Sequence, residues 1–316
     1  MQQKIQIGIS ACLVGQEVRY NGGHCQSSLC LKTLSEYFEY KTFCPEVAAG
    51  FSVPRPTMRL TGDPDKPRLS YSDDHSVDVS ARLIAVSQEV MPRMQDIYGY
   101  ILMKNSPSCG MERIKVYQDN GHPHMKKRDG LFTEQLRKAY PNLPIEEEGR
   151  LHDKYLYENF VLRVFCYHEW RSKVLANLSI GEMMKFHSRH KFILQAHNYE
   201  QTVALGRFLA DLEQGALADA AQEYESRFMT ILAKPASKAG HCNVMMHILG
   251  FLKKRVDSQS RQDLVSVIKS YRKGEVPLIA PMTLLKHYTP RFGGDYINAQ
   301  SYFDPYPGEL GLRNGL

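Results

Sequence analysis

The chain has 316 residues, 43% of them hydrophobic, with 40 Lys and Arg against 34 Asp and Glu. This length exceeds what one small core needs, and it predicts two domains. No apolar run approaches the roughly 20 residues that cross a bilayer, and the first residues lack the long apolar stretch of a signal peptide. We therefore expect a cytoplasmic protein with no membrane segment.

The positive charge is unevenly distributed along the chain. Residues 1–150 hold 19 Lys and Arg against 18 Asp and Glu, whereas residues 151–316 hold 21 against 16. The excess in the second half is compatible with a polyanionic partner, although modest excesses also occur on proteins that bind nothing charged.

The first half alternates short apolar runs with segments of helical periodicity. Strands are predicted at 5–9, 40–43, 100–103, 114–117 and 141–147, and helices at 27–38, 76–97 and 131–139. Residues 50–70 contain four prolines and predict a long loop. The alternation predicts an α/β domain over residues 1–150 with a Rossmann-like, doubly wound parallel sheet.

The second half, residues 151–316, predicts an all-α helical domain. Helical periodicity covers 153–175, 180–197, 199–213, 217–232, 241–256 and 263–271. The tail from Val276 is rich in proline and aromatic residues, and we expect it to wrap a helix bundle rather than extend it.

Three of the seven cysteines, Cys12, Cys44 and Cys109, each follow a predicted strand. Cytosolic thiols are kept reduced, so disulfides are not expected. Strand ends share one edge of a parallel sheet, where ligands bind, and the three thiols could form a metal site there. The competing interpretation is that they pack as small buried hydrophobes. Each has a polar neighbour in its turn, which favours the metal site: Ser10, Glu46 and Ser106.

These motifs resemble a known family. Residues 10–15 (SACLVG) with Arg19, residues 44–46 (CPE) with Arg55, and residues 105–110 (NSPSCG) are similar to the signature of the TudS-type thiouracil desulfidases. The second half resembles the YbgA-like family through 187–191 (HSRHK) and 281–288 (PMTLLKHY). The fused order is similar to that of the RudS-type proteins, which remove sulfur from 4-thiouridine in tRNA.

The resemblance implies that Cys12, Cys44 and Cys109 hold a 4Fe-4S cluster in which one iron lacks a protein ligand. Such an iron is a thiophilic Lewis acid that can take the sulfur of a thiolated nucleobase or nucleoside. Water then attacks the ring carbon without net redox change. We predict Glu46 as the base, with its proton affinity raised by the nearby thiolates, and Ser106 as a proton donor or relay.

Substrate contacts are predicted in both halves. Ser10, Arg19 and Arg55 belong to the first-half motifs and are expected to bind the thiolated base. The basic residues of the helix over 180–197 are expected to contact tRNA, with a solvated helix face as the alternative. These residues are Lys185, Arg189 and Lys191.

The remaining cysteines and histidines have less specific interpretations. Cys25 and Cys30 precede or begin a predicted helix, and the motifs do not require either one. Cys166 and Cys242 fall in helical runs, and we expect both to be packing residues. Three histidines of the 180–197 helix could share one face as a metal site, but without a carboxylate or cysteine partner we expect solvated or RNA-contacting side chains: His187, His190 and His197.

The leading interpretation is an iron-sulfur desulfidase with a helical tRNA-binding domain. One alternative is a desulfidase of free thiouracil or thionucleosides, which needs no basic platform. The other is a non-catalytic nucleic-acid-binding protein with a structural metal site, which needs neither Glu46 nor Ser106.

Overall fold

The computed structural model describes residues 4–212, 217–253 and 255–316, and the chain divides into two compact units, one ending at His152 and the other running from Asp153 to Leu316. Within these ranges, no helix has both the length and the apolar character needed to cross a membrane. The predicted helix over 199–213 ends at a residue outside the described ranges, and the prediction over 241–256 includes one such residue.

The first unit contains two sheets and short helices. Its strands are β1 Ile5–Ser10, β2 Phe38–Phe43, β3 Met58–Thr61, β4 Arg68–Tyr71, β5 Tyr100–Leu102, β6 Ile114–Tyr117, β7 Pro123–Arg128 and β8 Ile145–Glu147. Its α-helices are α1 Pro45–Ala48, α2 Ser80–Val90 and α3 Leu131–Ala139.

The first sheet is parallel throughout, in the order β2-β1-β5-β8. Its central strand β1 is buried along most of its length, as expected for a parallel sheet covered on both faces. Gly8 permits a close approach, because a Cβ at this position would collide with the Tyr100 ring of the neighbouring strand. The predicted α/β class of this half is confirmed.

The second sheet, in the order β4-β3-β6-β7, was not predicted. It is mixed, since β3 pairs parallel with β6 while the two outer pairs are antiparallel. The predicted long loop over 50–70 is wrong, because β3 and the first residues of β4 lie there. The prolines of this stretch lie outside both strands, two before β3 and two between β3 and β4, which is where proline is tolerated near a sheet.

Apolar residues from one face of the second sheet pack onto α2. Leu60, Leu69 and Val116 are fully buried and meet Leu83 of α2 in one cluster. In β6 the buried residues alternate with the more exposed Lys115 and Tyr117, so these two side chains lie on the opposite face.

Two helix predictions in the first unit need correction. The segment predicted as a helix over 27–38 forms a π-helical turn at Leu29–Thr33 and a 3₁₀ turn at Leu34–Glu36, and its last residue begins β2. The helix predicted over 76–97 is shorter, since α2 gives way to a 3₁₀ turn at Met91–Met94 that contains a proline. Proline removes a backbone hydrogen bond that a continuing α-helix requires.

The second unit is helical, as predicted. Its α-helices are α4 Lys154–Glu169, α5 Ile180–His197, α6 Tyr199–Ala210, α7 Leu217–Ile231, α8 Lys238–Leu252, α9 Ser258–Lys273, α10 Ile279–Phe292 and α11 Gly294–Asn298. Side chains that precede α4, α5, α6, α8 and α9 accept backbone hydrogen bonds at the first turn. These capping residues are Asp153, Ser179, Asn198, Ser237 and Asp257.

The expectation that the tail wraps the bundle and does not extend it is wrong, because the tail itself forms the helices α10 and α11. Pro281 occupies the first turn of α10, where a backbone N–H would have no partner within the helix, so its absence in proline costs little. Pro290 lies near the end of the same helix. Beyond them, the buried Arg313 donates a hydrogen bond to Glu158 of α4, which also accepts one from Tyr306.

Candidate active site

The three cysteine-bearing strand ends are neighbours in the parallel sheet. Cys12 lies in a 3₁₀ turn directly after β1, Cys44 follows β2 at the start of α1, and Cys109 lies in the loop after β5. Because β1 lies between β2 and β5, the chain crosses to the other side of β1 here, which is where open α/β sheets bind ligands. All three cysteines line one cavity of about 480 Å³.

The surroundings of these thiols disfavour their ionised form. Burial raises the pKa of Cys12 to about 12, and the nearby Cys44 and Cys25 contribute to the rise. Burial also raises the pKa of Cys44, and that of Cys109 well above its ordinary value. A positively charged group in the cavity would be required to hold the three side chains together as thiolates.

Ser106 fixes the turn that presents Cys109. Its hydroxyl oxygen accepts hydrogen bonds from the backbone N–H groups of Ser108 at 3.2 Å and Cys109 at 3.1 Å. The Cys109 carbonyl in turn accepts a hydrogen bond from the Thr133 hydroxyl of α3 at 2.8 Å. The Ser106 hydroxyl also lies 3.5 Å from the Glu46 carboxylate, and its role as a proton donor or relay stays a prediction.

The Glu46 carboxylate is held at both oxygens. Oε2 accepts hydrogen bonds from Nε and Nη2 of Arg55 at 2.9 and 2.5 Å, and Oε1 accepts one from the Ser108 hydroxyl at 2.9 Å. Arg55 also donates to the backbone carbonyls of Val18 and Ser52. The buried Arg55 therefore fixes Glu46 and ties together two loops beside the cavity.

Ser10 and Arg19 also line the cavity. The buried Ser10 hydroxyl accepts a hydrogen bond from the Met103 N–H at 3.0 Å and contacts the Cys109 thiol. The Arg19 guanidinium lies over the Tyr20 ring, with its carbon 5.6 Å from the ring centre. The structure thus gathers the predicted first-half residues at one place, while their contacts with substrate stay predictions.

The other first-unit cysteines differ in position. Cys25 lines the same cavity, and its N–H donates to the Cys12 carbonyl at 2.9 Å. Cys30 is fully buried, and Ser27 beside it binds Glu148. In residues 4–212, 217–253 and 255–316, no group of three or more His, Cys, Asp or Glu side chains is placed to hold a single metal ion. A polynuclear cluster differs, since its thiolates bind separate irons.

Comparisons with known proteins agree with this division of the chain. Residues 7–148 match the family described as 2-thiouracil desulfurase, and residues 191–307 match a family of unknown function, DUF1722. The uncharacterized protein YbgA of Escherichia coli K12 is 35% identical over 158 residues, which cover 50% of this chain and 94% of that protein. The uncharacterized protein YbbK of Bacillus subtilis 168 is 30% identical over 113 residues, or 32% and 71% of the two chains.

The chain contains a 2-thiouracil desulfurase domain in its first half. Its second half is a YbgA-like domain of the DUF1722 type. A solved structure, the [4Fe-4S]-dependent thiouracil desulfidase TudS, is 28% identical, with a TM-score of 0.40, over 50% of this chain and 99% of that one. Membership of an enzyme family argues against the non-catalytic alternative.

Sequence reasoning missed two parts of this desulfurase-family site. Ser108 lies inside the NSPSCG motif, but its direct contact with Glu46 was not predicted. Arg55 was predicted to bind substrate, and its pairing with Glu46 was not foreseen. The available signals were the opposite charges of Glu46 and Arg55 and the position of Ser108 inside the motif. Neither signal shows that these side chains lie within hydrogen-bonding distance of each other.

The predicted basic face of the YbgA-like domain is partly neutralised. On α5, Lys185 pairs with Glu182 at 2.7 Å, and Arg189 pairs with Glu169 at 2.9 Å. Arg189 also donates to the Ser301 hydroxyl at 3.0 Å. These two cations are therefore engaged within the unit, and Lys191 completes the predicted set on the same helix.

The expectation of solvated histidines on α5 is wrong for His190. This side chain is 2% exposed and its Nδ1 lies 2.9 Å from the Phe186 carbonyl. His187 lies against Tyr224, with Nδ1 3.2 Å from the hydroxyl, and its burial lowers the pKa to about 4. Since α5 lies within the bundle, its helical spacing places these rings against packed aromatic side chains.

A cavity of about 610 Å³ lies beside α8 and α9 of the YbgA-like domain. Sequence reasoning did not single out its residues. Its lining combines apolar and cationic side chains, among them Met246, Leu249, Val265, Lys253, Arg261 and Lys269.

Proposed function

We propose that this desulfurase-family enzyme is an iron-sulfur-dependent desulfidase that converts 4-thiouridine in tRNA to uridine. The observation that best supports the proposal is the cavity at the ends of β1, β2 and β5, which is lined by Glu46 and by four thiols, among them the three that follow these strands. In the reaction, the oxygen of one water replaces the sulfur of the C=S bond, and the sulfur leaves as sulfide. No electrons are gained or lost.

The donor set in the cavity fits an iron-sulfur cofactor. Cysteine thiolates are the usual ligands of such clusters, and we assign Cys12, Cys44 and Cys109 to this role. When bound there, a 4Fe-4S cluster supplies a thiophilic Lewis acid at an iron that lacks a protein ligand. Cys25 is a further thiol in the cavity wall. If Cys25 also bound the cluster, no iron would lack a protein ligand, so its role decides whether the substrate has a free iron to bind.

We assign proton transfer to Glu46. Arg55 and Ser108 fix the orientation of its carboxylate before substrate arrives, which lowers the cost of reaching a reactive geometry. From this position Glu46 takes a proton from the attacking water and returns it to the departing sulfur. The Ser106 hydroxyl lies beside Oε1 of Glu46, the oxygen that Ser108 also contacts, and we assign it the relay of protons at the reaction centre.

The substrate assignments follow the same cavity. Ser10 and Arg19 line it and are proposed to contact the thiolated base. Arg55 commits its donors to Glu46 and to backbone carbonyls, so we propose that it acts on substrate through Glu46.

The YbgA-like domain is proposed to supply most of the tRNA affinity. Residues 151–316 carry 21 Lys and Arg against 16 Asp and Glu, and phosphate contacts made by such residues dominate nucleic-acid binding. Lys185, Arg189 and Lys191 are the proposed contacts on α5. The cationic cavity beside α8 and α9 is a further candidate, since its three cations have no ion-pair partner within the described residues.

A second candidate function is desulfidation of a free thiolated base. It is favoured by the family description, which names 2-thiouracil. The two candidates differ in substrate size and share the same site and reaction.

The deciding experiment uses the full chain purified without oxygen. Iron and acid-labile sulfide are measured first, and sulfide release is then followed with 4-thiouridine-containing tRNA, 4-thiouridine and 2-thiouracil. We expect about four irons per chain for one 4Fe-4S cluster, with the highest kcat/KM on tRNA. Cluster-loaded protein that releases no sulfide from any of them contradicts the proposal, and activity confined to 2-thiouracil supports the second candidate.

A further inference from the structure

A groove of about 350 Å³ lies beside the catalytic cavity, within the first unit. It runs along β3 and β6 and past the loop that follows β5. Three residues line both the groove and the cavity: Met58, Asn105 and Pro107. The two spaces are therefore adjacent, and a ligand whose reactive base occupies the cavity has the groove directly beside it.

The groove is cationic. Arg59, Arg113 and Lys115 line it, and none of its lining residues is acidic. Within the described ranges, Arg113 and Lys115 form no ion pair, and both are exposed. The groove thus offers unneutralised positive charge next to the proposed reaction centre.

Acidic residues near the groove are already paired with other cations. Glu112, beside Arg113, pairs with Arg137 at 3.2 Å and Arg150 at 3.4 Å. Asp129 also pairs with Arg137, at 3.0 Å. Glu112 and Asp129 are therefore engaged away from the groove cations.

The strand register adds a second observation. Lys115 of β6 lies directly opposite Lys127 of β7 in the antiparallel pair. Like charges at directly opposed positions are destabilising, because both side chains lie on the same face. An anion bound along this face would remove that repulsion.

The groove also contains an aromatic ring with a guanidinium group over it. The Arg59 guanidinium carbon lies 4.9 Å from the centre of the Tyr117 ring, and Arg59 also contacts His75. The Nε atom of Arg59 is buried and has no hydrogen-bond partner within the described residues. Stacked planar groups flanked by cations are the combination that single-stranded nucleic acids bind.

We infer that this face, formed by Arg59, Arg113, Lys115 and Lys127 and called here the β-face, binds the sugar-phosphate backbone of the RNA strand that carries the thiolated base. The inference rests on the proposed function and extends it. It gives the desulfidase unit an RNA-binding surface of its own, so the phosphates that flank the reactive nucleotide are held in the unit that performs the chemistry. An acidic peptide is a competing occupant that the experiment separates.

The test uses the full chain, loaded with cluster, and the double variant Arg113→Ala/Lys115→Ala. The first readout is the Kd for a single-stranded oligouridine without sulfur, measured by fluorescence anisotropy. The second is KM for an oligonucleotide with one 4-thiouridine, compared with KM for the free nucleoside. The matched control, Lys32→Ala/Lys66→Ala, removes two exposed lysines that do not line the groove.

We expect the double variant to bind oligouridine about tenfold more weakly and to show a smaller salt dependence, by about 1.4 in the logarithmic slope, since each single-strand phosphate contact contributes about 0.7. KM should rise for the oligonucleotide and stay unchanged for the nucleoside. The charge-conserving variant Arg113→Lys/Lys115→Arg and the matched control should retain wild-type binding.

Two results would overturn the inference while leaving the proposed function intact. One is unchanged oligouridine binding in the Ala double variant with full nucleoside activity. The other is displacement of oligouridine by poly-glutamate at equal charge concentration, which would show a general polyanion surface. If oligouridine binding depends on the β-face but no thiolated substrate is turned over, the RNA-binding surface is supported and the proposed function is contradicted.

Discussion

Side chains around the cavity fall into two groups. The first group faces the open space and comprises the cysteines and Glu46. The second group positions the first: Ser106 and Thr133 fix the turn at Cys109, and Arg55 with Ser108 fixes Glu46. Substitutions in the two groups should therefore affect different measurements.

The first residue-scale prediction concerns cofactor content. Single substitution of Cys12, Cys44 or Cys109 by Ala should remove most of the iron after anaerobic reconstitution, because each deletes one of the three thiolates proposed to hold the cluster. The matched control is Cys25→Ala, which removes a thiol from the same cavity wall and should leave iron per chain unchanged. Equal iron loss in all four variants would indicate a four-thiol site without an open iron.

The second residue-scale prediction separates catalysis from assembly. Glu46→Gln keeps the shape of the side chain but cannot accept the proton, and kcat on 4-thiouridine should fall by about 10²- to 10⁴-fold. Iron content should match the wild type. Glu39→Gln, an exposed change on β2, is the control and should leave kcat unaltered. Normal sulfide release by Glu46→Gln would assign the base elsewhere.

Helix α5 shows how one element serves the packing of the second unit. Its rings of Phe186 and His190 lie 4.2 Å apart, and Phe186 also packs against Trp170 and Phe228. Burial lowers the pKa of His187 and His190 on the same helix. The uncharged forms of these histidines are thus part of the folded state.

The element-scale prediction is a loss of stability of the second unit in acid. The folded pKa of His187 is about 4, below its ordinary 6.5, so between these values the unfolded chain binds a proton that the folded chain does not. Stability should therefore fall as pH drops from about 6.5 to 4, by at most about 3 to 4 kcal/mol from this group.

Urea unfolding at a series of pH values, followed by fluorescence of Trp170, the single tryptophan of the chain, measures this dependence. His187→Gln should make the fall in stability over this range shallower, while the buried His190 still contributes to it. His287→Gln, at an exposed position of α10, should not. A wild-type curve that is flat from pH 6.5 to 4 would show that His187 titrates normally.

Predictability from sequence depended on the length and regularity of each element. The bounds of α3 and α5 were predicted correctly because each has a clear start, a clear end and continuous helical periodicity. The strands β3 and β4 have four residues each and lie among prolines, so the local composition indicated a loop. Tertiary pairing, which the local pattern does not contain, determines their structure.

The candidate site was predictable to the extent that it follows strand ends. The shared edge of Cys12, Cys44 and Cys109 came from the general behaviour of parallel sheets. The pairing of Arg55 with Glu46 depends on how the segment after α1 folds back onto that helix, and no periodicity encodes it. For the same reason the position of the groove beside the cavity could not be predicted.

At the scale of the whole molecule, the chain joins two units whose families also occur apart. YbgA is covered over 94% of its length by half of this chain. Each unit has its own buried core. The proposed division assigns chemistry to the first unit and most of the tRNA affinity to the second.

The molecule-scale prediction is that truncation after His152 affects substrates unequally. The shortened protein should retain most of its kcat/KM on 4-thiouridine but lose about tenfold or more on tRNA, because many phosphate contacts are removed. Circular dichroism and iron content establish first that the fragment is folded and loaded. Equal losses on both substrates from such a fragment would mean that the second unit contributes directly to the reaction centre.

The spread of the proposed cluster ligands along the chain dictates the order of events during biosynthesis. Cys12 and Cys44 emerge from the ribosome early, but β3, β4 and α2 lie between them and Cys109. The carbonyl of Cys109 is held by Thr133 of α3. The proposed cofactor pocket would therefore be complete only after α3 has been synthesised. Under this proposal, iron-sulfur delivery acts on a nearly finished first unit, and a shorter nascent chain offers a carrier protein no complete acceptor site.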